Sequence, residues 1–345
     1  MTEANHTSLA DQLVSALSAT ENLPFRGQLG VHNLRRMPLG ASQELWEFTL
    51  RHAEGESDLV LRRPPADAVA AGAVNPLGIP HETEMLLQSH LSDNGVSTPR
   101  VHTWLSSTDG KVQGFVMDRL TGTADPKTLL TDESFARCRA SLIGELAREI
   151  AEVHTTKLPD SLLVRTLDAA SLLGLLRQAA ELFRLRNPGF EWAFRWLSER
   201  VPPSESPRLV HGDFRLSNIM ADEQGLTGII DWELAHLGDP MEDLGWLCLR
   251  SWRFSRPDLP AAGLAHRGDL LGAYEEASGT RVVPEHVQFW EALGALKWAG
   301  ICLIQYGSFF AAKGKTHGGI DKAAIGRRFD EAMGDFFAVV DDWKV

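Results

Sequence analysis

An α+β fold in two lobes, with a small antiparallel-sheet N-lobe and a larger, mostly helical C-lobe, is what this sequence predicts. Three observations carry that expectation. At 345 residues the chain exceeds what a single hydrophobic core ordinarily serves. Up to residue 118 its apolar segments are short, rich in aromatic and β-branched residues, and punctuated by turn residues. Beyond Thr121-Gly122-Thr123 the apolar segments lengthen and take a helical period. The expected division is therefore residues 1–118 and 119–345.

Residues 8–19 place Leu9, Leu13 and Leu17 on one helical face. Leu45–Leu50 and Asp58–Arg62, joined by Glu54-Gly55-Glu56-Ser57, read as a hairpin. Pro64 and Pro65 end it, because proline cannot donate to a ladder. Residues 66–80, rich in Ala, Gly and Pro, read as a loop, and His81–Leu91 as a helix carrying Met85, Leu86 and Leu87. Strands are expected again at Arg100–Trp104 and Gly114–Asp118. In the second part, helices are expected at 132–156, 168–185, 189–200, 265–277, 285–312 and 321–340. Short strands are expected there only around 208–211, 218–221 and 227–232.

A net charge of −12 argues against nucleic acid or an anionic membrane as partner. Cys138, Cys248 and Cys302 are widely separated, which points to reduced thiols and not to a disulfide framework or a zinc site. The polar, acidic N-terminus lacks the basic and apolar regions of a signal peptide. No apolar run reaches the ~18 residues that would suggest a membrane span. A cytoplasmic protein is the expectation.

The densest chemistry lies in Leu-Val-His-Gly-Asp-Phe-Arg-Leu-Ser-Asn-Ile-Met at 209–220, followed by Ile-Ile-Asp-Trp-Glu at 229–233. His211, Asp213 and Asn218 have the H-x-D-x-x-x-x-N spacing of a kinase catalytic loop. Asp231 ends a β-branched run, where a kinase places a magnesium-binding carboxylate. A phosphoryl acceptor needs an oxygen base beside its hydroxyl, and the nucleotide phosphates need a cation against developing charge. Asp213 fits the base. Asn218 and Asp231 fit a hard ion that takes oxygen ligands and keeps several waters.

On these residues the chain resembles the aminoglycoside phosphotransferase family of the protein-kinase-like superfamily. Leu59–Pro65, Phe115–Asp118 and Gly238–Leu244 resemble a branch linked to acyl-CoA dehydrogenases. The resemblance runs from about residue 25 to near the C-terminus and is strongest at 209–246. It implies a two-lobed protein-kinase-like fold, ATP and Mg2+ as cofactors, and a small hydroxylated substrate. Gly40 and Ser42 would lie in a short phosphate loop, with an ordinary glycine turn as the competing reading. Arg62 stands where lysine is usual; guanidinium and ammonium are not equivalent phosphate partners. Its helix partner would be Glu84, with Glu82 as the rival. Met117, Asp118 and Leu120 would line the adenine hinge. His211 would brace the loop, Asp243 would anchor its backbone, Asp239 would cap a helix beginning at Pro240, and Trp232 and Trp246 would be core or pocket walls. Arg215 would face the acceptor or the phosphoryl group, or else solvent.

The implied activity is transfer of the γ-phosphoryl group of Mg-ATP to a substrate hydroxyl. A catalytically silent nucleotide-binding pseudokinase is the competing class, and a metal-dependent phosphohydrolase built on His211, Asp213, Asp231 and Asp239 is a third. Within the kinase class, an acidic surface (238–243, Glu275, Glu276) would suit a cationic aminoglycoside. A basic one (Arg250, Arg253, Arg256) would suit an anionic hydroxyacyl metabolite, the weakly preferred acceptor.

Overall fold

In the computed structural model, residues 3–37, 43–65, 77–106, 112–203, 206–311 and 324–343 are described. The chain divides into two units, Met1–Asn75 with Pro80–Leu120, and Pro76–Ile79 with Thr121–Val345. The first is built on a five-stranded antiparallel sheet, β1 (Gly30–Arg36), β2 (Glu44–His52), β3 (Gly55–Arg63), β4 (Val101–Ser106) and β5 (Gln113–Asp118), in the order β1-β2-β3-β5-β4. In β2, Trp46, Phe48 and Leu50 alternate with Glu47 and Thr49, so one face is apolar. Leu9, Leu13 and Leu17 of α1 (Glu3–Ser18) cover that face together with Leu59 and Leu61.

The opposite face carries Val60, Phe115 and Met117, with Leu45 and Met85 packed against them. Met85 belongs to α2 (His81–Asp93), whose Glu84, Leu87, Gln88 and Leu91 are buried at helical spacing. The β2–β3 turn is tighter than the sequence implies, since His52 already pairs with Gly55. β1 is not anticipated from sequence. It is a polar edge strand with a bulge between His32 and Arg35, so it lacks the alternation that marks a half-buried strand.

The second unit is helical: α3 (Pro126–Thr131), α4 (Ala136–Thr155), α5 (Ala169–Leu182), α6 (Pro188–Ser198), α7 (Met241–Leu247), α8 (Arg267–Ser278), α9 (Pro284–Ala311) and α10 (Phe329–Asp341). Two small antiparallel ladders interrupt it, β6 (Arg208–Val210) with β9 (His236–Gly238), and β7 (Ile219–Ala221) with β8 (Leu226–Ile229). The short α3 and β9 escape sequence reading. α3 is a six-residue helix started by Asp125, whose carboxylate accepts from Thr128 N–H at 2.9 Å. β9 has three residues and gains strand character only by pairing with β6. Contrary to the sequence expectation, one stretch, Pro284–Gly307 of α9, is long and apolar enough to cross a membrane. Its apolar window is 72% buried within the protein, and it serves as a core helix.

Candidate active site

Strand β6 delivers the chain into the His211–Asn218 loop, and the β7–β8 ladder sets its course beyond Asn218. Ile219 pairs with Ile229, and Ile230 N–H donates to the Asn218 carbonyl at 3.0 Å. That register brings Asp231 next to Asn218 although 13 positions separate them in sequence. The strand stops there because Asp231 has a left-handed backbone (φ 72°), unusual for a non-glycine residue and costing about 1–2 kcal/mol. The β-branched run thus ends at Ile230, one residue before the carboxylate.

Asp213 is held by three donors. Its Oδ1 accepts from Arg215 Nε and from Trp246 Nε1, both at 2.9 Å, and its Oδ2 accepts from Asn218 Nδ2 at 2.7 Å. Asn218 Nδ2 also donates to the Asp213 carbonyl at 2.9 Å. The amide nitrogen of Asn218 therefore points to Asp213, which turns its oxygen, the atom a hard cation takes, away from that contact. An amide oxygen and a carboxylate, as Asn218 and Asp231 offer, are the donor types that suit a hard cation. Arg215 lies over the Trp252 ring at 4.9 Å and also donates to Ser217 Oγ.

The loop backbone is fixed from behind. Asp243 Oδ2 accepts from His211 N–H at 2.8 Å and Oδ1 from Gly212 N–H at 2.9 Å. His154 Nε2 adds a 3.1 Å contact to Asp243 and meets Tyr274 through Nδ1. Burial alone would raise the Asp243 pKa, but the His154 hydrogen bond and the nearby histidines hold it below the ordinary carboxylate value. His211 Nδ1 accepts from Asp213 N–H at 3.2 Å, and its Nε2 lies 3.1 Å from the Ile230 carbonyl, so the imidazole ties the loop to β8. Gly212 adopts φ +76°, and a Cβ there would meet the Leu234 carbonyl at 2.4 Å.

Asp239 stands just before the helix and bonds into its first turn, as a capping side chain does. The helix starts at Met241, Pro240 precedes it, and Asp239 Oδ1 accepts from Met241 N–H at 2.9 Å. Its Oδ2 accepts from Trp290 Nε1 at 2.9 Å, so both oxygens are committed to protein donors. Among the described residues no group of three or more His, Cys, Asp or Glu side chains gathers as a metal cage. The phosphohydrolase ligand set therefore does not assemble.

In the first unit, Arg62 and Glu84 form a buried ion pair at 2.8 Å, while Glu82 is exposed. His81, not singled out in the sequence, stands 3.5 Å from Glu84 and 2.6 Å from Gln43 Oε1, linking the start of α2 to the start of β2. Gly40 and Ser42 lie outside the described residues. Met117 is buried and receives a contact from Gln88 Nε2 at 3.3 Å. The Asp118 carboxylate meets His102 Nε2 at 2.6 Å, and Leu120 is half-buried. Glu47 is paired with Val60 and Leu45 with Arg62, so these side chains leave the same face of the sheet. Beside the β1 bulge a cavity of about 530 Å³ is lined by Leu34, Glu47, Phe48, Thr49, Asp58 and Arg119.

Sequence reading underrated Trp246 and missed Lys297. Trp246 lies three residues beyond Asp243, hence on the same side of α7, a signal that was available. Lys297 stands in a largely apolar stretch of α9, and a charge so placed must find a buried partner. It finds Glu242, at 2.8 Å.

A model of the phosphotransferase enzyme family matches residues 33–279. Over 246 residues the chain is 26% identical to acyl-CoA dehydrogenase family member 10 of Mus musculus, covering 65% of this chain and 21% of that protein. The chain thus spans about a fifth of that relative. Among solved structures, a Ralstonia eutropha protein classed with the aminoglycoside phosphotransferases superposes with a TM-score of 0.68 at 19% identity, over 98% of this chain and 99% of the other. A spectinomycin phosphotransferase in complex with ADP and spectinomycin gives 0.60 at 13% identity, over 96% and 98% of the two chains. At these identities the structural matches speak for the fold.

Proposed function

Because the chain belongs to the phosphotransferase enzyme family, we propose that it transfers the γ-phosphoryl group of Mg-ATP to a hydroxyl of a small molecule. One observation carries this reading above all: Asp213, held by three donors, shares Asn218 with the place where Asp231 arrives. Asp213 would orient the acceptor hydroxyl and take its proton. Arg215, Trp246 and Asn218 would keep the carboxylate from rotating, so little reorganisation accompanies the reaction. Asn218 and Asp231 would hold magnesium, which when bound neutralises charge on the phosphate oxygens. Arg62, fixed by Glu84, would take the α/β-phosphates. The purine would be read by backbone groups near Asp118 and Leu120, with Met117 packed behind it. The intact Asp213, Asn218 and Asp231 set favours a working enzyme over a pseudokinase.

For the acceptor we favour a metabolite over an aminoglycoside. Most of the acidic residues that would attract a cationic antibiotic are committed elsewhere: Asp239, Glu242 and Asp243 are bonded to protein donors, and Glu275 accepts from Val282 N–H at 2.7 Å, which leaves Glu276 exposed. The acyl-CoA dehydrogenase relationship supports a hydroxylated acyl thioester as the class. Of the three arginines suited to such an anion, Arg253 is tied to Glu291 and the Cys248 carbonyl, which leaves Arg250 and Arg256 as the exposed pair. An ATP-consumption screen over hydroxyacyl-CoAs, amino sugars and choline-like alcohols tests the reading. Turnover with an amino sugar alone would reverse the acceptor assignment, and nucleotide binding without turnover on any alcohol would favour the pseudokinase.

A further inference from the structure

Behind the candidate base lies a buried cation that the proposed reaction does not use. Lys297, on α9, is 2% exposed, and its ammonium has three neighbours. It donates to the Gly212 carbonyl at 2.7 Å and to Glu242 Oε1 at 2.8 Å, and it lies 4.6 Å from the centre of the Trp246 ring. Two of these contacts lead to Asp213 by separate routes. Gly212 is its chain neighbour, and Trp246 is the indole whose N–H holds Asp213 Oδ1. The left-handed conformation of Gly212 shapes the first route, since it sets how the peptide is turned while the N–H goes to Asp243 and the carbonyl to Lys297. The third contact, Glu242, is itself fixed by His236 Nε2 at 3.1 Å.

A plain ion pair that merely filled the core would need only Glu242. Here one ammonium spans the loop carbonyl and the ring that carries the loop's hydrogen-bond donor. We propose that Lys297 is a positioning residue for phosphoryl transfer, holding the Gly212 peptide and the Trp246 indole so that the Asp213 carboxylate stays fixed. The inference rests on the kinase reading above. Lys297 touches neither nucleotide nor acceptor in this scheme and acts through Gly212 and Trp246.

The test compares the wild-type enzyme with Lys297→Met/Glu242→Gln. Removing both buried charges together avoids stranding one of them, and such neutral replacements are often tolerated. The variant should melt near the wild-type temperature and keep its KM for ATP. Its kcat should fall roughly 10–10²-fold, the scale on which small misplacement of a reacting group is felt. In an Asp213→Asn background the same pair of changes should cost almost nothing further, because there is no base left to position. A folded double variant with wild-type kcat overturns the proposal, as does a loss that multiplies fully onto Asp213→Asn. If the double variant does not fold, Lys297→Arg decides: reduced kcat at unchanged KM for ATP supports the role, and wild-type kcat overturns it. Wild-type turnover is measured first. Its absence with every acceptor withdraws the kinase reading and this inference with it, whereas wild-type turnover with insensitive Lys297 variants withdraws only the positioning role.

Discussion

Trp246 Nε1 donates a 2.9 Å hydrogen bond to Asp213 Oδ1, joining a helix across 33 residues of chain to the loop that carries the candidate base. The ring is 1% exposed, so this is a fixed bond and not a surface contact. Trp246→Phe keeps an aromatic ring but deletes the donor. Losing one hydrogen bond to a charged acceptor removes about 1.5 kcal/mol, which is roughly tenfold in rate. The expected result is a kcat lowered by that factor with KM for ATP unchanged. Wild-type kcat in a folded Trp246→Phe enzyme would show that the bond has no catalytic consequence.

Asp231 and Asn218 should differ in what they cost. Asp231→Ala removes the charged candidate ligand and is expected to abolish turnover and weaken magnesium-dependent ATP binding. Asn218→Ala should do less, since water can replace one neutral oxygen ligand. It also deletes the Nδ2 bond to Asp213 Oδ2, so part of its loss should persist at saturating magnesium. Titrating magnesium against activity checks the ranking, and unaltered magnesium dependence in Asp231→Ala would remove that residue from the metal site.

Removing Arg62 should cost stability as well as the nucleotide contact proposed for it. Arg62→Ala leaves Glu84 buried without its guanidinium. The expected destabilisation is about 3 kcal/mol, near the low end for breaking a buried pair, because His81 stays 3.5 Å from Glu84. The variant should raise the KM for ATP, while Arg62→Lys retains measurable activity. Thermal melts and ATP kinetics separate the two effects, and unchanged ATP kinetics in Arg62→Ala would take Arg62 out of the nucleotide site.

Acid should attack the second unit through α7. Burial by itself would raise the Glu242 pKa, yet the Lys297 ammonium and His236 outweigh it and hold the carboxyl at about 2. A depressed folded-state pKa stabilises fully above the unfolded value, about 4.3 for glutamate. That stabilisation drains away as pH falls towards about 2. Asp243, also lowered, acts in the same direction. The melting temperature should therefore drop steeply below about pH 4.3, and Lys297→Met/Glu242→Gln should flatten that drop. Equal slopes for the two proteins would place the acid sensitivity elsewhere.

Much of this was legible in the sequence because it rests on local spacing. The His211–Asn218 loop and Asp231 are close in the chain, and one three-residue ladder brings them together. The β2–β3 hairpin and the long helices carry strong periodicity. Glu84 could be named but not separated from Glu82, since residues two apart point to opposite sides of one helical turn and packing decides which side faces the sheet. The polar edge strand β1 had no apolar face to announce it. Lys297 and His154 reach the site from helices far away in sequence, across 85 and 89 positions to Gly212 and Asp243. No local pattern encodes such contacts. For Lys297 the only trace is a charge inside a largely apolar stretch of helix.

Asp213 is proposed to be the base that orients and deprotonates the acceptor hydroxyl. Asp213→Asn tests it most directly, with nucleotide affinity measured by calorimetry and turnover measured on the acceptor that the screen identifies. In the variant an amide oxygen can keep the bonds from Arg215 and Trp246, and a thermal melt verifies the fold. The expected kcat is lowered roughly 10²–10⁴-fold, the usual range for a general base, at nearly unchanged ATP affinity. A folded variant that turns over normally, or one that loses ATP binding together with activity, would contradict it.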